Sequence, residues 1–265
     1  MDYLNLAKSL AISAGELIKS RMGEQFLVEE KSSAFDVVTE VDKLSENLIR
    51  EGIAAHYPDH QFLGEEEMFL SGDSLEEVLS GSVDEPYLWI VDPIDGTSNF
   101  VQGIPGFTVS IALACKGELI VGVVYDPCAD EMFWAEKGQG AFMNGKRIEV
   151  SGKKTLETCV IATGFPSNME ARLAVYNGLG KLIHQCRTIR SLGSAARHLA
   201  YVGAARLDGF WENGLKAWDV AAGVLIVLEA GGQVSDTSGN PYSLKTMDIV
   251  TTNGQVHSSL LDCLK

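Results

Sequence analysis

Residues 216–230, Lys-Ala-Trp-Asp-Val-Ala-Ala-Gly-Val-Leu-Ile-Val-Leu-Glu-Ala, read as a helix that is apolar almost all the way round. Such a helix needs burial on most of its sides, so the rest of the chain must wrap it. Gly231-Gly232 supplies its C-cap. The single acid in its first part, Asp219, is conspicuous in that setting. A capping role at the helix start is the plain alternative to a role in chemistry.

A second stretch concentrates unusual residues. Tyr87 to Val91 is a short apolar run, rich in aromatic and β-branched residues, and suits a buried strand. The strand is expected to stop at Asp92-Pro93, because proline has no N–H for a central ladder. Asp92 and Asp95 then stand at its carboxyl end, followed by the small residues Gly96, Thr97 and Ser98. Either the two acids cap their own turn, or they are held together for chemistry.

The remaining elements follow in order. Residues 2–22 place Leu4, Ala7, Leu10, Ala11, Ala14, Leu17, Ile18 and Met22 on one helical stripe. A second helix covers about Val41 to His56 with Leu44, Leu48 and Ile53 inward. Thr39-Glu40-Val41-Asp42 matches a capping box, which gives Asp42 a helix-start role. Gln61–Gly64 is a short strand leading to Glu65-Glu66-Glu67, most of which reads as a solvated charge run. Residues 70–86 read as surface loop with at most a helical turn. Phe107–Cys115, Glu118–Tyr125 and Glu131–Glu136 form an antiparallel meander that closes through the Asn144-Gly145 turn near Val150. After a seam at 153–157, strands and helices alternate to the end. Residues 1–150 therefore form an α+β half, and residues 151–265 an α/β half.

Composition enters where partners are concerned. A formal charge of -15 over 265 residues argues against nucleic acid or an anionic membrane as the main partner. The five cysteines are scattered without CxxC spacing, as small buried hydrophobes in a reducing compartment would be. There is no signal peptide and no apolar run long enough to span a bilayer, so a soluble cytoplasmic protein is expected.

If Glu65, Asp92, Asp95 and Asp219 converge, their mutual repulsion calls for divalent cations. An all-oxygen set without His or Cys suits Mg²⁺, Mn²⁺ or Ca²⁺ better than zinc, although the EF-hand calcium pattern is not met. Closely spaced cations activate water for in-line displacement at phosphorus. Gly96 and Thr97, at a helix start, would aim amides at an anion, and Thr97 could pass hydrogen-bond polarity to Asp42. The chain has neither a Gly-x-Ser-x-Gly elbow nor a Gly-x-x-x-x-Gly-Lys-Ser/Thr loop.

Residues 89–100, residues 218–223 running on to Glu229-Ala230-Gly231-Gly232, Gly64-Glu65-Glu66, and the segment from Lys31-Ser32-Ser33 through Asp36 to Asp42 resemble the inositol monophosphatase family in order and spacing. The resemblance spans essentially the whole chain. It implies a layered α/β/α/β/α sandwich and a metal-activated water that hydrolyses a phosphate monoester. By that analogy Glu65, Asp92 and the Ile94 carbonyl hold a first Mg²⁺, and Asp92, Asp95 and Asp219 a second. Glu65 shares a weaker third. Thr97 with Asp42 orients the water, and the Gly96 and Thr97 amides bind phosphate. Glu212 and the wall from Gly193 through Ser194 to Ala195 meet the substrate, with Asp95 and Lys216 beside them. Mn²⁺ could substitute, Li⁺ and Ca²⁺ should inhibit, and a homodimer is implied.

The expected substrate is a small phosphorylated polyol, first myo-inositol 1-phosphate. Lys216 stands where animal members preferring inositol phosphate have His, which suits a bacterial-type member; a merely solvent-facing Lys216 is the alternative. NADP, fructose 1,6-bisphosphate, histidinol phosphate and 3′-phosphoadenosine 5′-phosphate are the other candidates, and a catalytically silent metal-binding module is the reading from a different class.

Overall fold

In a computed structural model, which describes residues 2–24, 28–31, 37–71, 75, 78–79 and 86–265, two long helices open the chain. Helix α1 (Tyr3–Arg21) is capped by Asp2, whose carboxylate accepts from the Asn5 amide at 2.7 Å, and it buries Leu6, Ala7, Leu10, Ala11, Ala14 and Ile18. Strands β1 (Val28–Glu30) and β2 (Val37–Thr39) form a small antiparallel pair. Helix α2 (Glu40–His56) turns Val41, Ser45, Ile49 and Ile53 inward. Leu44, expected inside, is 46% exposed instead. The inward stripe runs through 41, 45, 49 and 53, and polar Ser45 and Glu46 occupy buried positions on it, which masks the true face in the sequence.

The larger sheet has seven strands in sequence order. They are β3 (Gln61–Gly64), β4 (Leu88–Asp95), β5 (Thr108–Cys115), β6 (Glu118–Asp126), β7 (Glu131–Glu136), β8 (Gly140–Met143) and β9 (Lys146–Ile148). All neighbours run antiparallel except β3 and β4. Asn144 (φ 47°) and Gly145 (φ 78°) make the expected hairpin turn, with both residues left-handed as a type I′ turn requires. Strand β4 does not stop at Asp92-Pro93. On one side β3 pairs it only as far as Val91, and on the other the register against β5 shifts between Asp92 and Asp95. Pro93 thus sits in a bulge where no ladder donor is required, and the strand carries both acids.

Helices α3 (Glu65–Ser71) and α4 (Thr97–Val101) leave the carboxyl ends of β3 and β4. The segment 70–86, expected as surface loop, lies in large part outside the described residues. Within it Leu75, Val78 and Leu79 are helical, and Leu79 is buried in the core rather than on the surface. Residues 32–36, part of the family motif, also lie outside the described residues.

The second sheet has the order β11-β10-β12-β14-β13, built from β10 (Val160–Thr163), β11 (Thr188–Arg190), β12 (Gly209–Glu212), β13 (Gln233–Asp236) and β14 (Ile249–Thr252). Its first three strands in that order are parallel and the rest antiparallel. Helices α5 (Met169–Leu182), α6 (Ala195–Gly203), α7 (Ala217–Glu229) and α8 (His257–Leu264) complete the chain. The apolar helix foreseen at 216–230 is α7, and it lies with α6 between the two sheets. It approaches β6 so closely that a Cβ on Gly122 would stand 2.6 Å from the Ala222 carbonyl oxygen. Helices α1 and α2 cover the outer face of the first sheet, α5 and α8 that of the second. The result is the expected α/β/α/β/α sandwich. All five cysteines are free; Cys159 and Cys263 are buried, and Cys115, Cys128 and Cys186 only partly so. No helix among the described residues is long and apolar enough to cross a membrane.

Candidate active site

The end of β4 joins two sheets. Asp92 is buried, and its Oδ1 accepts from the Ile94 amide at 3.0 Å, closing the turn through Pro93. Asp95 faces away from its own turn. It accepts from Ser194 Oγ at 2.6 Å and from the amides of Ala196 and Ala195 at 2.7 and 3.2 Å, so it caps α6 from another part of the chain. Gly96 has φ 97°, and a Cβ there would meet the Gly193 carbonyl oxygen at 2.8 Å. Asn99 Nδ2 donates to the Leu192 carbonyl at 2.8 Å and fixes the same seam. The wall Gly193–Ala195 is therefore seated directly on the acidic motif.

Asp42 serves both roles that the sequence left open. Its Oδ2 accepts from the Thr39 amide at 2.9 Å and from Thr39 Oγ1 at 2.6 Å, which is the capping box. Its Oδ1 accepts from Thr97 Oγ1 at 3.0 Å. The Thr97 hydroxyl is shared with the Ile94 carbonyl, also at 3.0 Å.

Glu65 is the first residue of α3. Lys31 Nζ bridges it to Glu66, at 2.8 Å from Glu65 Oε1 and 2.6 Å from Glu66 Oε1. Glu66 is almost fully buried, so the acid run is not the solvated patch expected; a buried ammonium compensates it. Asp219 accepts from the Lys216 amide at 2.6 Å. Lys216 is the N-cap of α7 and Asp219 sits three residues in, so the expectation of an N-cap aspartate is corrected to a first-turn acid bound back to the cap. Lys216 is half-buried and borders the site rather than facing solvent freely.

Glu65, Asp95, Asp219, Glu212, Lys216 and the 193–195 wall border one cavity of about 550 Å³. Burial, with the charges of Glu65, Asp95 and Asp219 added, holds the Asp92 carboxyl well above the usual carboxylate range. Asp219 is raised by burial and then by Glu65 and Asp95, and Glu212 by burial and then by Asp219 and Asp95. Burial lifts Asp95 and Asp42 to about 6 even against their hydrogen bonds. Lys31 is drawn into the group; burial disfavours its charge, but Glu65 and Glu66 outweigh that and hold its pKa up.

Among the described residues, no three His, Cys, Asp or Glu side chains are gathered closely enough to hold a metal ion as they stand. Each of three acids is engaged by the chain itself: Glu65 pairs with Lys31, Asp95 accepts from the Ala196 amide of α6, and Asp219 accepts from the Lys216 amide. The donor set nonetheless fits hard divalent cations in kind, since every group is oxygen and every resolved shift among the carboxylates is in the direction that a cation would reverse.

Sequence reasoning named Asp42, Glu65, Asp92, Asp95, Glu212 and Asp219 but missed three supporting groups. Lys31 stood in the motif without a role, Glu46 lay on an unremarkable helix, and Asn99 followed the acids as an ordinary polar residue. None carried a clear signal: Glu46 is buried on α2 with Ile49 and Ile53, a face that the reading through Leu44 and Leu48 did not single out.

The inositol monophosphatase family model matches residues 2–264. The Nus factor SuhB of Pseudomonas aeruginosa is 43% identical over 266 residues, covering 99% of this chain and 95% of that protein. A Thermotoga maritima protein named fructose-1,6-bisphosphatase/inositol-1-monophosphatase is 38% identical over 261 residues, covering 98% and 95% respectively. The crystal structure of the extragenic suppressor protein suhB from Bartonella henselae superposes with a TM-score of 0.88 at 39% identity, over 98% of this chain and 97% of that one.

Proposed function

Because the chain belongs to the inositol monophosphatase family, we propose that it is a Mg²⁺-dependent phosphomonoesterase that hydrolyses myo-inositol 1-phosphate to inositol and phosphate. The observation that carries this reading is the gathering of Glu65, Asp95, Asp219 and Glu212 on one cavity with Asp92 beneath and Thr97 bonded to Asp42. Glu65, Asp92, the Ile94 carbonyl, Asp95 and Asp219 would hold two or three Mg²⁺. Cations bound there lower the pKa of water and offset the charge of the phosphate.

The chain's own groups do the rest. Asp42, ionised, accepts a hydrogen bond from Thr97, which leaves the Oγ1 lone pairs to accept from the attacking water and orient it. The Gly96 and Thr97 amides take phosphate oxygens at the start of α4. Glu212, Lys216 and the 193–195 wall meet the hydroxyls of the leaving alcohol. The relative in Thermotoga maritima carries both substrates in its name, which keeps fructose 1,6-bisphosphate beside inositol phosphate. A homodimer agrees with the exposed apolar Met169, Leu173 and Tyr176 on α5, and light scattering reads its mass directly.

Phosphate release with Mg²⁺ is the test, run on inositol 1-phosphate, fructose 1,6-bisphosphate, NADP, histidinol phosphate and 3′-phosphoadenosine 5′-phosphate. Release from the first above the others supports the assignment; no release from any, with Mg²⁺ still bound, leaves a silent metal-binding module. The name Nus factor SuhB on a relative 43% identical favours a second reading, a protein partner within a transcription complex. A chain of net charge -15 would contact protein there rather than nucleic-acid phosphates. Co-sedimentation with a reconstituted elongation complex decides it.

A further inference from the structure

Glu46 is an acid inside a core, 3% exposed, on the inward stripe of α2. Its two oxygens are divided between two donors: Oε2 accepts from the Glu66 amide at 2.7 Å and Oε1 from the Glu67 amide at 2.8 Å. On the other side of Glu65 stands Gly64, where a Cβ would overlap the same carboxylate. Both chain neighbours of Glu65 are therefore fitted to one side chain, from above by hydrogen bonds and from below by the lack of a Cβ. Among the described residues no ammonium or guanidinium forms an ion pair with Glu46; the two amides favour its ionised form, but burial outweighs them and raises the carboxyl to about 7.

We propose that Glu46 is a positioning residue for Glu65: it fixes the turn from β3 into α3 and so sets where the Glu65 carboxylate stands in the cavity. This rests on the reading of Glu65 as a metal ligand. Glutamate suits the task for a geometric reason. Each oxygen serves one N–H, so an amide would turn an NH₂ toward a donor at one of the two positions, and aspartate is a methylene too short to span from α2. Groups that orient a ligand through the chain beside it typically change metal affinity by about 10- to 100-fold when removed.

Binding of Mn²⁺ to the full chain, followed by the electron paramagnetic resonance of the free ion, reads the effect without turnover. Glu46→Gln is expected to weaken Mn²⁺ binding about tenfold while unfolding stays cooperative. The distinguishing readout is a cycle with Glu65→Gln. If Glu46 acts through Glu65, adding Glu46→Gln to Glu65→Gln costs nothing further, whereas a general structural role gives losses that multiply. Should Glu46→Gln not fold, Gly64→Ala displaces the same carboxylate from the opposite side and carries the same expectation. Folded Glu46→Gln that binds Mn²⁺ like the unaltered chain, or multiplying losses in the double variant, overturns the positioning role and leaves the metal reading intact. No Mn²⁺ binding by the unaltered chain overturns both.

Discussion

Thr97 donates to Asp42 across 3.0 Å, joining residues 55 positions apart. Thr97→Val removes the hydroxyl while keeping the shape, and is expected to lower phosphate release by about 10²- to 10⁴-fold. Thr97→Ser keeps the donor and should retain most of the rate. Assays of both variants at saturating Mg²⁺ decide the point, and equal rates for valine and threonine would refute the role.

Ser194 caps α6 through the Arg197 amide and donates to Asp95 at 2.6 Å. Glycine normally replaces a serine cap at a cost of a few tenths of a kcal/mol, and alanine at about 1 kcal/mol. Because the Ser194 hydroxyl also satisfies a buried carboxylate, Ser194→Gly is expected to cost more than about 1 kcal/mol, close to the alanine value. Urea unfolding of both variants measures the difference.

His198 is fully buried, accepts from the Leu192 amide on Nε2 at 2.9 Å, and has its pKa lowered by burial to about 3. The unfolded imidazole protonates near 6.5, so between roughly pH 6.5 and 3 the unfolded state binds more protons. Stability from this group therefore falls as pH falls, by up to about 1.4 kcal/mol per pH unit. Unfolding of His198→Gln beside the unaltered chain at pH 7, 6 and 5 should show the difference moving toward the variant as acid is added. A constant difference would show that the imidazole does not resist protonation.

Burial, with the charge of Glu65 added, raises Asp92, Asp95 and Asp219. Mg²⁺ that binds the folded chain alone stabilises it by about 2.7 kcal/mol at a hundred times its dissociation constant. A rise in melting temperature with Mg²⁺ is expected, smaller in Asp219→Asn. Chelation with EDTA should return the unaltered chain to its metal-free melting point and stop phosphate release.

The elements were legible because apolar patterning reports burial: α7 shows no polar face, and the meander shows its turns; their stacking into five layers came from the family resemblance alone. Each of the acids Glu65, Asp92, Asp95 and Asp219 had a local explanation as a cap or a solvated charge, so it was their joint order and spacing, through the family resemblance, that singled them out. Pro93 misled the strand boundary, since its missing N–H harms a strand only where a partner needs that donor, and here neither neighbour does. Leu44 misled the face of α2 because polar Ser45 and Glu46 hold buried positions that patterning assigns to apolar residues. Partner choice was the least legible part. Nothing local to Asp95 says that it will cap a helix starting at Ala195, because that pairing exists only once the two sheets are stacked.

That cap also orders events during synthesis. Asp95 and Ser194 are separated by 99 positions, so a nascent chain has made the whole first sheet before the partner of its central acid exists. Until α6 is made, the Asp95 carboxylate lacks the three donors that it accepts from in the folded chain. Glu212, Lys216 and Asp219 follow Ser194 in the chain, so the cavity gathers its last lining residues only after the partner of Asp95 has been made.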